Sequence, residues 1–264
     1  MVAGGDNISM RTFDELVDVA ERVDLGDWDF SVLDGRATEE RPEWGYTQLM
    51  AQRLASVNSA LDIDTGTGAV LAEAAVLPPQ MVAVEAWPPS LARARERLGP
   101  RGVEVVASAP GAPLPLAEAS FDLVTSRHPV APDLPEIARV LAPGGSYLAQ
   151  HVGQASAFEL IEFILGPQPT TRAGRDPEAD AATATARGLT MVQLRKARCR
   201  MEFHDIGAVV LTLRLCPWWV ADFTVERHRQ RLQDLDALIR RDGSFVAHST
   251  RVLFEARKPS LSRA

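Results

Sequence analysis

The stretch Leu61-Asp62-Ile63-Asp64-Thr65-Gly66-Thr67-Gly68-Ala69-Val70-Leu71 decides the fold. Leu61 and Ile63 read as a buried strand. Thr65 to Gly68 read as a glycine-rich turn, and an apolar helix from Ala69 to Leu77 is expected to follow. Glycine admits backbone angles that other residues resist, and it lets a ligand approach the main chain closely. The helix start leaves N–H groups free for an anionic group. A strand, glycine turn and helix at the head of a βαβ unit form a cofactor cradle. A dinucleotide site would want a third glycine where Leu71 stands, and a phosphate loop would want Lys and Ser or Thr after the second glycine. Neither pattern is present.

The chain beyond this stretch alternates strands and helices. Met81 to Glu85 reads as a second strand, and Pro88-Pro89-Ser90 opens a helix that Gly99-Pro100 stops. Val103 to Ala107 reads as a third strand, and Phe121 to Thr125 as a fourth. A helix capped by Asp133 runs to Leu141. Pro143-Gly144-Gly145 then turns the chain into a fifth strand, Tyr147 to Val152. The strands are almost continuously apolar, as in a parallel sheet covered on both faces.

Four stretches carry a family resemblance. LDIDTGTG resembles motif I of the class I S-adenosylmethionine-dependent methyltransferases, with Asp62 as the family acid and Gly66 and Gly68 as its last two glycines. Asp64 stands where the family has its first glycine, a departure. MVAVEAW, ending the second strand at Glu85, is similar to the family's ribose-binding strand. SFDLVTSRH and EIARVLAPGGSYLAQHVG resemble its fourth strand and the following helix, turn and fifth strand. The resemblance covers roughly residues 44 to 153.

It implies an α/β fold: a doubly wound, mostly parallel, seven-stranded, Rossmann-like sheet with added helical N-terminal and lid segments. It implies one methyltransferase domain over residues 1–264. Residues 1–56 would be an N-terminal helical cover, 57–153 the cofactor-binding core, and 154–264 a C-terminal half with a lid around 205–223. It implies S-adenosyl-L-methionine as cofactor. Asp62 would orient the methionine amino group, and Asp64 would add a carboxylate there or crowd the loop. Thr65, Gly66 and Gly68 would form the cradle, and Glu85 would take both ribose hydroxyls. Adenine would rest near Ala86 and Trp87, and Ser108, Ala109 and Ser126 are further candidates for binding the cofactor. Related enzymes often have an acid near position 109 or 110, and this chain has none there.

Other features bound the reading. The formal net charge is −7, which argues against non-specific nucleic-acid binding, since that draws on basic surface. Basic residues do cluster at Arg195, Lys196, Arg198 and Arg200 and at Arg227, Arg229 and Arg231. Cys199 and Cys216 are too few for a disulfide framework, and a cytoplasmic setting is the default. No signal core, membrane span or metal-ligand spacing stands out. Residues 1 to 11 read as disordered. Thr12 and Glu15 form a capping box for the first helix. Ile206, Val209, Val210 and Leu213 recur at helical spacing, yet the β-branched run also permits a strand. The resemblance favours a helix from Asp205 to Leu215, and a final antiparallel strand is expected from Ser249 to Arg257.

Methyl transfer needs alignment more than side-chain chemistry. Where an acceptor needs a base, His128 at the end of the fourth strand is the first candidate and His151 at the end of the fifth the second. Arg127, His204, Trp218 and Trp219 are candidates for holding substrate, and Trp44 and Tyr46 for covering cofactor and substrate. The expected function is methyl transfer to a small-molecule acceptor such as a secondary metabolite. One alternative is RNA methylation through the arginine clusters. Another is a cofactor-impaired member serving as a binding protein or catalysing a non-methylating rearrangement. Residue patterns leave the oligomeric state unknown.

Overall fold

The computed structural model describes residues 11–26, 30–109, 111–129, 131–169 and 176–260. The chain divides into two compact units. The first takes residues 1–41, 155–173 and 198–249, and the second 42–154, 174–197 and 250–264. The expected disordered stretch 1–11 lies outside the described residues, apart from Arg11.

The second unit holds the parallel strands: β2 (Ser59–Ile63), β3 (Gln80–Glu85), β4 (Glu104–Ala107), β5 (Phe121–Arg127) and β6 (Leu141–Val152). β2 pairs in parallel with both β3 and β5, β3 with β4, and β5 with β6. β8 (Phe245–Arg257) runs antiparallel to β6, from Ser146↔Arg257 to Val152↔Arg251. The sheet order is β1-β7-β8-β6-β5-β2-β3-β4, with β1 at Ala37–Glu39 and β7 at Thr190–Phe203. Among the described residues the sheet therefore has eight strands, not the seven expected. β1 is three residues, Ala37 half-buried and Thr38 and Glu39 exposed, paired with the end of β7, and so short a segment carries no hydrophobic period to read.

Each face of the parallel sheet has its own core. Ala60, Ala83, Leu123 and Leu148 pack with Tyr46, Met50 and Leu54 of α2 (Tyr46–Leu54) and with Ala94 and Leu98 of α4 (Pro88–Leu98). Leu61, Val82, Val124 and Tyr147 pack on the other face with Ile137 of α5 (Leu134–Val140) and Ala184 of α7 (Pro177–Ala186). Burial on both faces explains the poor polar alternation.

Two boundaries differ from expectation. The helix after the glycine turn, α3, is only Ala69–Ala72 rather than reaching Leu77. Arg101 donates to the carbonyls of Ala72 and Ala74 at 2.8 and 2.5 Å. A side chain thus takes acceptors that further helix would have used. Pro143-Gly144-Gly145 is not a turn before the fifth strand but a register break inside β6, between Phe121↔Leu141 and Leu123↔Ser146.

In the first unit, α1 (Phe13–Arg22) carries the expected capping box, and α9 (Val225–Asp242) is amphipathic around buried Leu232, Leu235 and Ile239. α8 (Ile206–Leu215) is buried nearly all round, and its N-terminus is capped by Asp205, which accepts from Ala208 N–H at 2.9 Å. The helix of the 205–223 stretch is thus core of its own unit.

Candidate active site

Sheet topology places the site. The chain winds outward from β2 through β3 to β4, then returns to put β5 on the other side of β2. Ligands in such sheets bind beyond the strand C-termini, where the winding reverses. That point lies between the ends of β2 and β5. Asp62 to Gly68 leave one strand there, and Ser126 to His128 end the other.

The two glycines of the loop have different reasons. A Cβ on Gly66 would meet nothing within 4 Å, and its φ is +60°. Its need is conformational, and the space beside it is open. A Cβ on Gly68 would lie 2.7 Å from Leu98 Cδ1, at φ +73°. That glycine lets α4 pack onto the loop. Asp64 also has a left-handed backbone, with φ 55°. Aspartate is among the few L-residues that visit this region routinely, so it adopts the backbone angle that favours glycine.

Three carboxylates surround the loop. Asp62 is 6% exposed and accepts from Thr125 Oγ1 at 2.6 Å. Burial pushes its carboxyl up to about 6, opposed by the Thr125 hydrogen bond and aided by the charges of Asp64 and Glu85. The Thr65 hydroxyl is buried without hydrogen-bond geometry to a partner, although it lies close enough to Asp62 to lower that pKa in part. Asp64 reaches solvent at the rim, yet the protein crowding it, and then the Glu85 charge, raise its carboxyl too. Among the described residues none of the three has an ion-pair partner.

Glu85 is 8% exposed. Its Oε1 accepts from the N–H groups of Ala86 and Trp87 at 2.9 and 2.8 Å, and its Oε2 from Gly66 N–H at 2.7 Å. A carboxylate has about four lone-pair sites. Three face main-chain donors, so one on Oε2 is left. Glu85 therefore ties the loop to the end of β3 and has one direct acceptor for a ligand hydroxyl.

Trp87 is 40% exposed beside this carboxylate. Ser108 is half-buried, its N–H bonded to the Glu85 carbonyl at 3.1 Å, and Ala109 is exposed. Pro110 lies outside the described residues. The Ser126 hydroxyl is buried with no hydrogen-bond partner among the described residues.

The remaining candidates separate. Tyr46 is a core residue whose hydroxyl donates to the Ser126 carbonyl at 2.9 Å, and burial raises its pKa well above the ordinary phenol value. Trp44 Nε1 donates to Gln150 Oε1 at 2.8 Å, and Gln150 Nε2 lies 3.1 Å from His128 Nε2. Burial first, then the charges of Arg127, Arg251 and His151, hold His128 well below the usual imidazole range. Arg127 is exposed at the end of β5. His151 follows Gln150 and points to the opposite sheet face, stacked on Phe254 at 5.2 Å with Tyr147 Oη 3.2 Å from its Nε2. His204, Trp218 and Trp219 belong to the first unit. There His204 is exposed, Trp218 is 56% exposed, and Trp219 packs partly on that unit's core.

Sequence reading missed Thr125 and Gln150. Thr125 meets Asp62 only through strand register. Gln150 could have been flagged, because a lone amide within the apolar run Tyr147 to Val152 needs partners.

Residues 61–149 match the methyltransferase-domain family, whose cofactor is S-adenosylmethionine. The chain is similar to a functionally unknown protein from Deinococcus radiodurans, at 16% identity and TM-score 0.61, over 93% of this chain and 99% of that one. It is similar to phosphoethanolamine N-methyltransferase 2 of Haemonchus contortus, at 18% and 0.52, over 95% of this chain and 61% of that one. It is also similar to the [4+2]-cyclase SpnF, at 19% and 0.53, over 94% of each chain. At these identities the likeness is one of fold. No curated protein matches the chain.

Among the described residues no His, Cys, Asp and Glu group is arranged to hold a metal ion, and no helix is long and apolar enough to cross a membrane.

Proposed function

We propose that this chain transfers a methyl group from S-adenosylmethionine to a small-molecule acceptor. One observation carries the reading: carboxylates without cationic partners among the described residues surround an open glycine loop at the reversal point of the sheet. A ligand bearing a sulfonium and an ammonium group matches that charge, and a ribose hydroxyl matches the remaining acceptor on Glu85. Asp62 and Asp64 hold the ammonium end, Gly66 leaves room for the cofactor, and Trp87 flanks the adenine. The cofactor supplies an activated methyl group. The chain's part is to align an acceptor with it and to exclude water.

A small acceptor is favoured over RNA because the basic cluster of β7 is already neutralised. Arg195 pairs with Glu43, Lys196 with Glu178, Arg198 with Glu159 and Arg200 with Glu202. A second reading, a member that binds without methylating, draws on Asp64 in a glycine position and on the missing adenine-binding acid.

Titration calorimetry with S-adenosylmethionine and S-adenosylhomocysteine tests the proposal. Saturable binding that weakens at least tenfold in Glu85→Ala is the expected result. No heat at millimolar ligand would overturn it. Mass spectrometry of small molecules that co-purify with the chain then addresses the acceptor.

A further inference from the structure

Three contacts settle where the proton of His128 sits. An indole N–H can only donate, so the 2.8 Å contact from Trp44 Nε1 makes its partner on Gln150 the carbonyl oxygen. The amide nitrogen of Gln150 then faces His128 Nε2 at 3.1 Å. An amide NH₂ can only donate, so Nε2 accepts and the ring proton sits on Nδ1. The main chain clamps the same pair, with His128 N–H donating to the Gln150 carbonyl at 2.7 Å. His128 has φ 58°, an uncommon backbone for a residue with a side chain and one that gathers at functional sites. Arg195 lies over the Trp44 ring at 5.5 Å and pairs with Glu43, which fixes the far end of the relay.

We propose that Trp44 and Gln150 are positioning residues that hold His128 as a neutral Nδ1–H donor toward a substrate lone pair, and not as the base that deprotonates the methyl acceptor. The inference rests on the methyl-transfer reading for its substrate. The ring's one acceptor nitrogen is engaged by Gln150. The nearby charges of Arg127 and Arg251, and the neighbouring His151, oppose a second proton on the ring. During transfer the acceptor's lone pair forms the bond to the methyl carbon, and the electrons of the broken carbon–sulfur bond stay on sulfur. Any proton on the acceptor leaves to water. The fitting acceptors are those whose nucleophilic lone pair is free near neutral pH, such as an amine in its neutral form, and that carry a separate oxygen for Nδ1–H.

Ring nitrogen-15 shifts of the labelled full chain test this, with the His128 signals identified by their loss in His128→Asn. The expected spectrum shows Nδ1 protonated and Nε2 bare, unchanged across the neutral range. In Gln150→Glu the new carboxylate can only accept, so the ring proton should move to Nε2 and the ring should begin to titrate near neutrality. Should that variant fail to fold, Trp44→Phe frees the amide to turn over and should yield a mixture of both ring tautomers. A wild-type ring with its proton on Nε2, or one that titrates near neutrality, would overturn the proposal. So would a tautomer unmoved in whichever of the two variants folds, the result a packing role predicts. The spectra need neither cofactor nor acceptor. Failure of cofactor binding in calorimetry therefore counts against the methyl-transfer reading, and a wrong tautomer counts against the relay.

Discussion

Asp62 couples stability to function. Its carboxyl has an ordinary value of 3.8 and is pushed to about 6 in the fold. The folded chain therefore holds more protons than the unfolded chain between those values, and stability falls as pH rises through that window. The difference corresponds to about 3 kcal/mol above the window. Asp62→Asn should raise the melting temperature at neutral pH and flatten its pH dependence, as thermal melts across the acid range would reveal. The same variant should weaken cofactor binding by at least roughly tenfold, since a hydrogen bond to a charged group contributes about 1.5–3 kcal/mol. Asp64 differs. Its left-handed backbone strain is about 1 kcal/mol, and Asp64→Gly relieves it while loosening the unfolded chain by a similar amount. Stability should stay within about 1 kcal/mol, and cofactor affinity in calorimetry should drop. A large gain in affinity would mean that the native side chain obstructs the site.

At the scale of elements, the loop is held from two directions. Glu85 grips it through Gly66 N–H, and Leu98 of α4 packs against Gly68. Glu85→Gln cannot satisfy both sets of main-chain donors, because one end of an amide is itself a donor. Denaturant titration should show a loss of about 1–3 kcal/mol, along with loss of cofactor binding. Gly68→Ala forces a Cβ into Leu98 at a backbone angle that alanine resists. It should destabilise by about 1–3 kcal/mol, and Leu98→Ala on that background should recover part of the cofactor affinity. Elements also show where sequence reading succeeds. The capping box of Thr12 and Glu15 and the cap at Asp133 are local contacts, and both were legible. The early end of α3 was not, because the guanidinium that stops it comes from Arg101, far along the chain.

For the whole molecule, charge is the testable quantity. The net charge is −7, and the arginines of β7 that could have formed a basic face sit in ion pairs. Gel-shift titrations with structured RNA at physiological salt should show no binding below about 100 μM, the weak end of the range for non-specific binding. The sequence by itself determined the strand–glycine loop–helix unit, the order of strands and helices, and Asp62 and Glu85 as the acids beside the cradle. All of these rest on neighbours within a few residues, where period, turn chemistry and motif spacing act. Tertiary structure alone decided the eighth strand, the Thr125 partner of Asp62, and the separation of His128 from His151. It also decided the amide that orients His128. Each depends on which strands lie side by side and which sheet face a side chain meets, and those follow from burying the whole chain at once rather than from any one stretch of it.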